Sequence, residues 1–320
     1  MNTNLIKLSV DTGGANTKYA YMVNDEIFAH QFPTIVMPIN KNDEIAEGIR
    51  IEYNGQNYLF PNYGTYSLTK NNTKLDEKHY IAVYTAIAKA LQKLKVDTTE
   101  TVLIDLSINI PIVEFKQTDI KEKYINQYKN KLITIKLNNT DYTFKISEVN
   151  PYFESQGYLL RHLDSYAKKN VLMIDLGGRN DSFCLFRALK PQSSCSFSGT
   201  EGALKCLSSI ATELSESGEP YTIQDVKEFK TKEQELIPDK FNEICEKYTR
   251  DYLTKIMNKI IGKDINFTTT EVVFTGGGAM LFSTEIQTTF KDTIKHLTIS
   301  STDGWADNVK GALRRSYNKA

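Results

Sequence analysis

The chain has 320 residues, of which 40% are hydrophobic and 24% are charged, and this size favours two domains of a soluble globular protein. Its 39 basic residues balance its 39 acidic residues, so direct binding to nucleic acid, which needs a basic surface, is not expected. Since no apolar run is long enough for a membrane span and the N-terminus lacks signal-peptide features, we expect a cytoplasmic protein without a membrane partner.

The first predicted element is an apolar strand, residues 5–10, which runs into a glycine-rich turn. The turn reads Asp11-Thr12-Gly13-Gly14-Ala15-Asn16, and a second strand follows over residues 19–23. The glycines allow backbone N–H groups to converge on an anion, and Asp11 is placed to hold a hydrated Mg²⁺. Lys18 lies on the outgoing strand, where it is either a contact for the same anion or a solvated edge residue.

The next 150 residues mix strand and helix signals. They predict a β-rich insertion over about 33–80 with a hairpin around Asn54-Gly55, an amphipathic helix over 80–95, a buried strand over 102–110, a charged helix over 119–131, a hairpin over 132–146 and a helix over 157–167. This alternation is typical of an α/β protein.

The glycine-rich turn is then repeated. Asp175-Leu176-Gly177-Gly178-Arg179-Asn180 has the same D-x-G-G-x-N pattern and again lies between two strand-like runs. A single turn of this kind is usually a plain hairpin, but two matched copies are much less expected by chance. Two such hairpins that face each other would hold phosphates from both sides.

A third glycine-rich segment, Gly276-Gly277-Gly278, follows a short buried strand over 271–275 and precedes a helix over 281–290. Three glycines at such a junction leave room for a flat ring or a phosphate, and a flexible loop is the alternative. Further helices are predicted over 204–214 and 241–261. The cysteines are spaced without a metal-type CxxC pair and are expected to be reduced; they are Cys184, Cys195, Cys206 and Cys245.

In this order the three motifs resemble the phosphate-1, phosphate-2 and adenosine motifs of the actin, heat-shock chaperone and sugar-kinase superfamily. The D-x-G-x-x-N-x-K form of the first motif is similar to the plasmid-partitioning actin homologues of the ParM/StbA group. The resemblance implies an actin-like fold of two duplicated RNase-H-like domains with the nucleotide in the cleft between them. Residues 1–158 and 305–320 would form domain I, and residues 159–304 would form domain II.

The resemblance also implies a site for ATP or GTP with Mg²⁺, in which Asp11 and Asp175 hold the metal through water. The residues expected to contact the nucleotide are Thr12, Gly13, Gly14, Asn16, Lys18, Gly177, Gly178, Arg179, Asn180, Gly276, Gly277, Gly278 and Met280. Glu154 would orient the attacking water, with Gln156 as the reserve and a helix-capping role for Glu154 as the alternative. The second motif departs from the family because Arg179 and Asn180 stand where threonines are usual, so Arg179 contacts either phosphate or a neighbouring subunit.

The function implied is that of a filament-forming ATPase, whose partners are further copies of itself and a DNA-bound adaptor of the ParR type, and which segregates plasmid DNA. Two alternatives remain at this point. A small-molecule kinase of the same superfamily needs a general base for a substrate hydroxyl, and no aspartate is singled out for that task. A non-polymerising nucleotide switch is the other alternative.

Overall fold

The structure is a computed structural model, and it describes residues 5–41, 43, 47–62, 74–97, 99–231, 237–263, 265–301 and 303–318. The chain divides into two compact units, Met1–Arg161 with Asn308–Ala320, and His162–Asp307. Both contain strands and helices, as the α/β prediction requires. Within the described residues, no helix is long and apolar enough to cross a membrane.

The strands in chain order are β1 (Leu5–Thr12), β2 (Asn16–Val23), β3 (Glu26–Pro33), β4 (Met37–Ile39), β5 (Ile49–Tyr53), β6 (Gln56–Phe60), β7 (Val102–Ile110), β8 (Leu132–Leu137), β9 (Thr140–Phe153), β10 (Asn170–Leu176), β11 (Asp181–Arg187), β12 (Lys190–Gly199), β13 (Glu271–Thr275) and β14 (Leu297–Ile299). The helices are α1 (Glu77–Lys93), α2 (Ile112–Phe115), α3 (Thr118–Tyr128), α4 (Gly157–Arg161), α5 (Leu163–Tyr166), α6 (Ala203–Ser215), α7 (Ile223–Thr231), α8 (Phe241–Ile260), α9 (Gly276–Leu281), α10 (Ser283–Phe290) and α11 (Asp307–Tyr317).

The sheet of the first unit has the strand order β3-β2-β1-β7-β9-β8-β5-β6-β4 over the described residues. β1 pairs antiparallel with β2 and parallel with β7, which in turn pairs parallel with β9. The ends of β1 and β7 towards the first glycine-rich turn are buried residue after residue, as expected for strands covered on both faces. The helix α1 corresponds to the amphipathic helix predicted over 80–95, and its apolar residues Ile81, Tyr84, Ile87 and Leu91 are all buried.

The sheet of the second unit has the strand order β12-β11-β10-β13-β14. β10 pairs antiparallel with β11 and parallel with β13, and β13 pairs parallel with β14. The order and directions repeat those of β3-β2-β1-β7-β9 in the first unit. The repeated turn motif therefore lies within a repeated sheet, in each case between the central strand and its antiparallel neighbour.

Two predicted helices differ from the structure. The helix predicted over 157–167 is the pair α4 and α5, because His162 between them has the non-helical backbone angles φ −125° and ψ 36°. The helix predicted over 281–290 is α10, which begins at Ser283, and the three glycines form the first turn of a further short helix, α9, which precedes it. The four cysteines are buried free thiols.

Candidate functional site

The first glycine-rich turn is a tight hairpin between β1 and β2. Asp11 lies opposite Lys18 in the strand pairing, and residues 13–16 lie between the last paired positions, Thr12 and Thr17. A Cβ atom on Gly13 would lie 2.8 Å from the carbonyl oxygen of Asn16, so the turn needs glycine there. The Asn16 side chain donates a hydrogen bond to Oε1 of Gln31 on β3 at 3.3 Å. Asn16 thus stabilises the hairpin through this contact with β3. Thr12, the last residue of β1, is buried.

The second turn has the same geometry. Asp175 lies opposite Ser182, and Leu176 lies opposite Asp181. The backbone N–H of Gly177 donates to the carbonyl oxygen of Asn180 at 2.9 Å, and a Cβ atom on Gly177 would lie 2.7 Å from that oxygen. The two D-x-G-G-x-N segments are therefore equivalent turns on equivalent strands, with a serine in the second copy where the first has Lys18.

Asp11, the acidic residue of the first turn, is buried and is contacted by three polar side chains. Its side chain is 4% exposed, and its Oδ1 accepts a hydrogen bond from Nζ of Lys74 at 2.8 Å. Nζ of Lys18 lies 3.9 Å from Oδ2, and the Asn308 side chain also donates to the carboxylate. Burial acts to raise the pKa of Asp11, but these partners outweigh it and hold the pKa below its ordinary value, so the residue is an anion at neutral pH.

Lys74 was not predicted as a site residue, and the structure places it at the centre of this group. Its Nζ donates to Oδ1 of Asp11 at 2.8 Å and to the backbone oxygen of Asn109 at 3.1 Å, and it lies 2.8 Å from Oε1 of Glu154. Burial acts to lower the pKa of Lys74, but the two carboxylates raise it above its ordinary value. A single lysine outside any glycine-rich pattern gives no signal in the sequence, because only the fold brings it to these partners.

The two predicted acidic residues of the first unit, Asp11 and Glu154, are thus joined through one ammonium group. Glu154 directly follows β9, and its backbone N–H donates to the oxygen of Ile110 at 2.9 Å. It precedes α4 by three residues, so it lies at a strand end rather than in the first turn of a helix. Within the described part of the chain, no hydrogen bond joins the Gln156 side chain to this group.

The second turn is tied to the start of α6. The backbone N–H groups of Gly202, Ala203 and Leu204 donate to the carbonyl oxygens of Arg179, Gly177 and Gly178 at 3.1, 2.9 and 2.8 Å. Asp181, which closes the motif, is 1% exposed and accepts from the N–H of Glu201 at 3.0 Å and from Nζ of Lys259 at 2.9 Å. Asp181 therefore braces the turn internally, and the loop that carries Gly177–Asn180 is fixed by backbone contacts.

The three glycines of the third segment have different surroundings. A Cβ atom on Gly276, whose φ is +88°, would lie 2.3 Å from Oδ1 of Asp175, and one on Gly278 would lie 2.7 Å from the oxygen of Leu176. A Cβ atom on Gly277 would meet nothing within 4 Å, and this residue is exposed. Gly276 and Gly278 thus allow α9 to pack against the strand of the second turn, whereas Gly277 is the position open to a ligand. Met280 is partly buried in the same helix.

The acidic side chains near the first turn fit a metal ion that is bound through water better than one that is coordinated directly. Among the described residues, no group of three or more acidic, histidine or cysteine side chains could hold a metal. Oδ1 of Asp11 is held by Lys74, and Nζ of Lys18 lies 3.9 Å from Oδ2, which is beyond a hydrogen bond. Each carboxylate oxygen can accept two hydrogen bonds, so Oδ2 can accept one from metal-bound water in addition to the contact that Asn308 makes with the carboxylate.

Comparison with known proteins agrees with this architecture. Residues 9–157 match the family described as "Actin like proteins N terminal domain". The apo psk41 ParM protein is 17% identical, with a TM-score of 0.72 over 99% of both chains. The chain has the actin-like fold. The predicted resemblance and fold class are thereby confirmed.

Two further actin-like structures match nearly the whole chain. The archaeal actin homologue Ta0583 in complex with ADP is 15% identical, with a TM-score of 0.73 over 98% of this chain and 100% of that one. AlfA from the B. subtilis plasmid pLS32, solved as a filament, is 16% identical, with a TM-score of 0.66 over 96% and 98%. No curated protein sequence matches the chain.

Proposed function

We propose that this actin-like chain is a nucleotide-dependent, filament-forming ATPase that segregates plasmid DNA through a DNA-bound adaptor of the ParR type. The observation that carries the proposal is the group of Asp11, Lys74 and Glu154 beside a glycine-rich hairpin whose geometry is repeated in the second unit. In this proposal the two units correspond to actin-like domains I and II, predicted as residues 1–158 with 305–320 and residues 159–304.

The hairpins would bind the phosphates of ATP or GTP through backbone N–H groups, and the third segment would receive the base at Gly277. Mg²⁺, when bound, would neutralise phosphate charge and polarise the transferred group. Asp11 would hold metal-bound water through Oδ2, and Asp175 has the equivalent position on its own hairpin. Lys18 adds positive charge next to Asp11, where it can approach a phosphate oxygen.

Glu154 would orient the attacking water. Lys74 contacts Oε1 of Glu154, which leaves Oε2 to accept a hydrogen bond from that water. Phosphoryl transfer depends mostly on positioning and on charge stabilisation, so a fixed carboxylate and a set of backbone donors are the chemistry required.

Assembly and partition are proposed from the similar structures. AlfA forms filaments, and Ta0583 binds ADP. In this chain, subunits bound to the nucleoside triphosphate would assemble, and subunits bound to the diphosphate would leave. The formal net charge of zero fits a protein that leaves DNA contact to its adaptor and acts in the cytoplasm.

Sedimentation with parallel phosphate release tests the proposal. With ATP or GTP and Mg²⁺ the protein should pellet and release phosphate, and without nucleotide it should stay in the supernatant. Separate ATP and GTP samples decide which base is used. A protein that stays in the supernatant with either nucleotide is not a filament former, and if it also consumes nucleotide only when a small hydroxylated substrate is added, it is a kinase.

A further inference from the structure

Lys74 uses its whole hydrogen-bonding capacity inside the first unit. An ammonium group has three N–H donors. The three nearby acceptors are Oδ1 of Asp11, Oε1 of Glu154 and the backbone oxygen of Asn109, at 2.8, 2.8 and 3.1 Å. The side chain is 8% exposed. Each donor of Lys74 therefore has an acceptor within the protein.

The three acceptors lie at the carboxyl ends of three neighbouring parallel strands. Asp11 is the penultimate residue of β1, Asn109 is the penultimate residue of β7, and Glu154 is the first residue after β9. The chain turns sharply after Glu154, since Ser155 has a φ of +71°. Glu154 thus lies where the backbone leaves the sheet, and its Oε1 contacts Lys74.

Lys74 has little freedom to move away from these partners. The cavity beside it, which Thr12 and Asn109 also line, has a volume of about 10 Å³, close to the space that one water molecule needs. The charges also balance locally, because Lys74 and Lys18 face Asp11 and Glu154. Burial and the attraction of the two carboxylates therefore favour this position of the ammonium group.

We infer that Lys74 is a positioning residue for the proposed hydrolysis, and that it acts through Glu154 by holding Oε1 so that Oε2 faces the attacking water. The inference rests on the proposed function. It assigns Lys74 no contact with the nucleotide. The competing explanation is that Lys74 only stabilises the sheet by neutralising buried charge, in which case its loss would not depend on Glu154.

A double-mutant cycle separates the two explanations. The proteins are the wild type, Lys74→Met, Glu154→Gln and the double variant, and kcat, KM and the midpoint of urea unfolding are measured for each. If Lys74 acts through Glu154, Lys74→Met lowers kcat about as much as Glu154→Gln, by roughly 100-fold, with KM within a few-fold of the wild type. The double variant is then no slower than Glu154→Gln alone. Multiplied losses in kcat, or wild-type kcat in Lys74→Met, overturn the inference.

Two further variants keep the test decisive. Lys129 forms an ion pair of the same length, 2.8 Å, with Glu148, but both side chains are exposed. Lys129→Met therefore removes a paired lysine without touching the site and should change kcat less than 2-fold.

If Lys74→Met does not fold, Lys74→Arg keeps the charge but cannot reproduce three convergent bonds from one atom. Lys74→Arg should then fold and lose kcat in the wild-type background but not in Glu154→Gln, and an equal loss in both backgrounds contradicts the inference.

The outcome for the wild type separates this inference from the function on which it rests. A wild-type protein that releases no phosphate from ATP or GTP overturns the proposed function. A wild-type protein that hydrolyses nucleotide while Lys74→Met hydrolyses it equally fast overturns only the role of Lys74.

Discussion

At the residue scale, Asp11 shows how the fold sets the charge of its site. Buried carboxylates are normally driven towards the neutral form, since removal from water costs more for the anion. Two lysines and Asn308 reverse this tendency at Asp11 and lower its pKa. Asp11 is therefore an anion in the folded protein. A carboxylate must be in this form to accept hydrogen bonds from metal-bound water on both of its oxygens.

This lowered pKa gives a testable pH dependence. In the unfolded chain Asp11 takes up a proton near its ordinary pKa of 3.8, whereas in the folded chain it does so only at lower pH. Its contribution to stability is therefore fully present above that value and is lost as the pH falls towards the folded pKa. We expect the unfolding free energy of the wild type to fall more steeply below about pH 5 than that of Asp11→Asn. Urea unfolding at a series of pH values measures both slopes, and parallel slopes would show that Asp11 has an ordinary pKa.

Lys74 explains why sequence reasoning found only part of this site. Asp11 and Lys18 belong to one local hairpin, so their spacing in the sequence predicts their proximity. Lys74 is 63 residues from Asp11 and 80 residues from Glu154 along the chain, and no short pattern encodes those contacts. The contact between Lys74 and Glu154 is therefore a product of the tertiary structure.

At the scale of elements, the glycines of the third glycine-rich segment have two different roles, packing and exposure to solvent, and the sequence does not show which glycine has which role. Gly276 and Gly278 serve the packing of α9 against Asp175 and Leu176, while Gly277 faces open space. In the sequence the three glycines are equivalent, because packing against another strand has no local signature. The strand over 271–275 was predicted with the bounds that β13 has, since its apolar run is a local property.

Three glycine-to-alanine variants test this division. Gly276→Ala and Gly278→Ala should lower the unfolding free energy by about 1–3 kcal/mol through overpacking, with a further cost at Gly276 from its positive φ. Gly277→Ala should keep or slightly raise stability, by up to about 1 kcal/mol, since alanine favours the helix. If the base binds there, Gly277→Ala should weaken nucleotide binding. Urea unfolding and nucleotide titration on the same preparations measure both effects, and unchanged affinity in Gly277→Ala would remove this residue from the site.

At the scale of the whole molecule, the repeat is one of sheets as well as of turns. Each unit has a central strand whose penultimate residue is an aspartate, an antiparallel neighbour joined to it by the glycine-rich turn and a parallel neighbour on the other side. The sequence revealed this duplication through one six-residue pattern. The β-rich additions to the first sheet, β5, β6 and β4, have no counterpart in the described sheet of the second unit.

The last prediction concerns Glu154, which the proposed function makes responsible for coupling hydrolysis to disassembly. Glu154→Gln keeps the size of the side chain and its ability to accept a hydrogen bond from Lys74, but it removes the carboxylate that would orient water. We expect nucleotide binding to remain, phosphate release to slow by roughly 100-fold and filaments to persist after a limiting amount of nucleoside triphosphate is supplied. Light scattering and phosphate release, recorded on one sample, follow both processes.

The alternative role for Glu154, stabilisation of the positive end of a helix, predicts a different result. Loss of such a contact would cost about 0.5 kcal/mol of stability and leave turnover unchanged. The structure already disfavours it, because Glu154 lies three residues before α4 and its carboxylate contacts Lys74. Wild-type turnover in Glu154→Gln would therefore exclude both the catalytic role of Glu154 and the positioning role of Lys74, and Gln156 would be the next residue to replace. Slow turnover with filaments that still disassemble would instead show that hydrolysis and disassembly are separate in this protein.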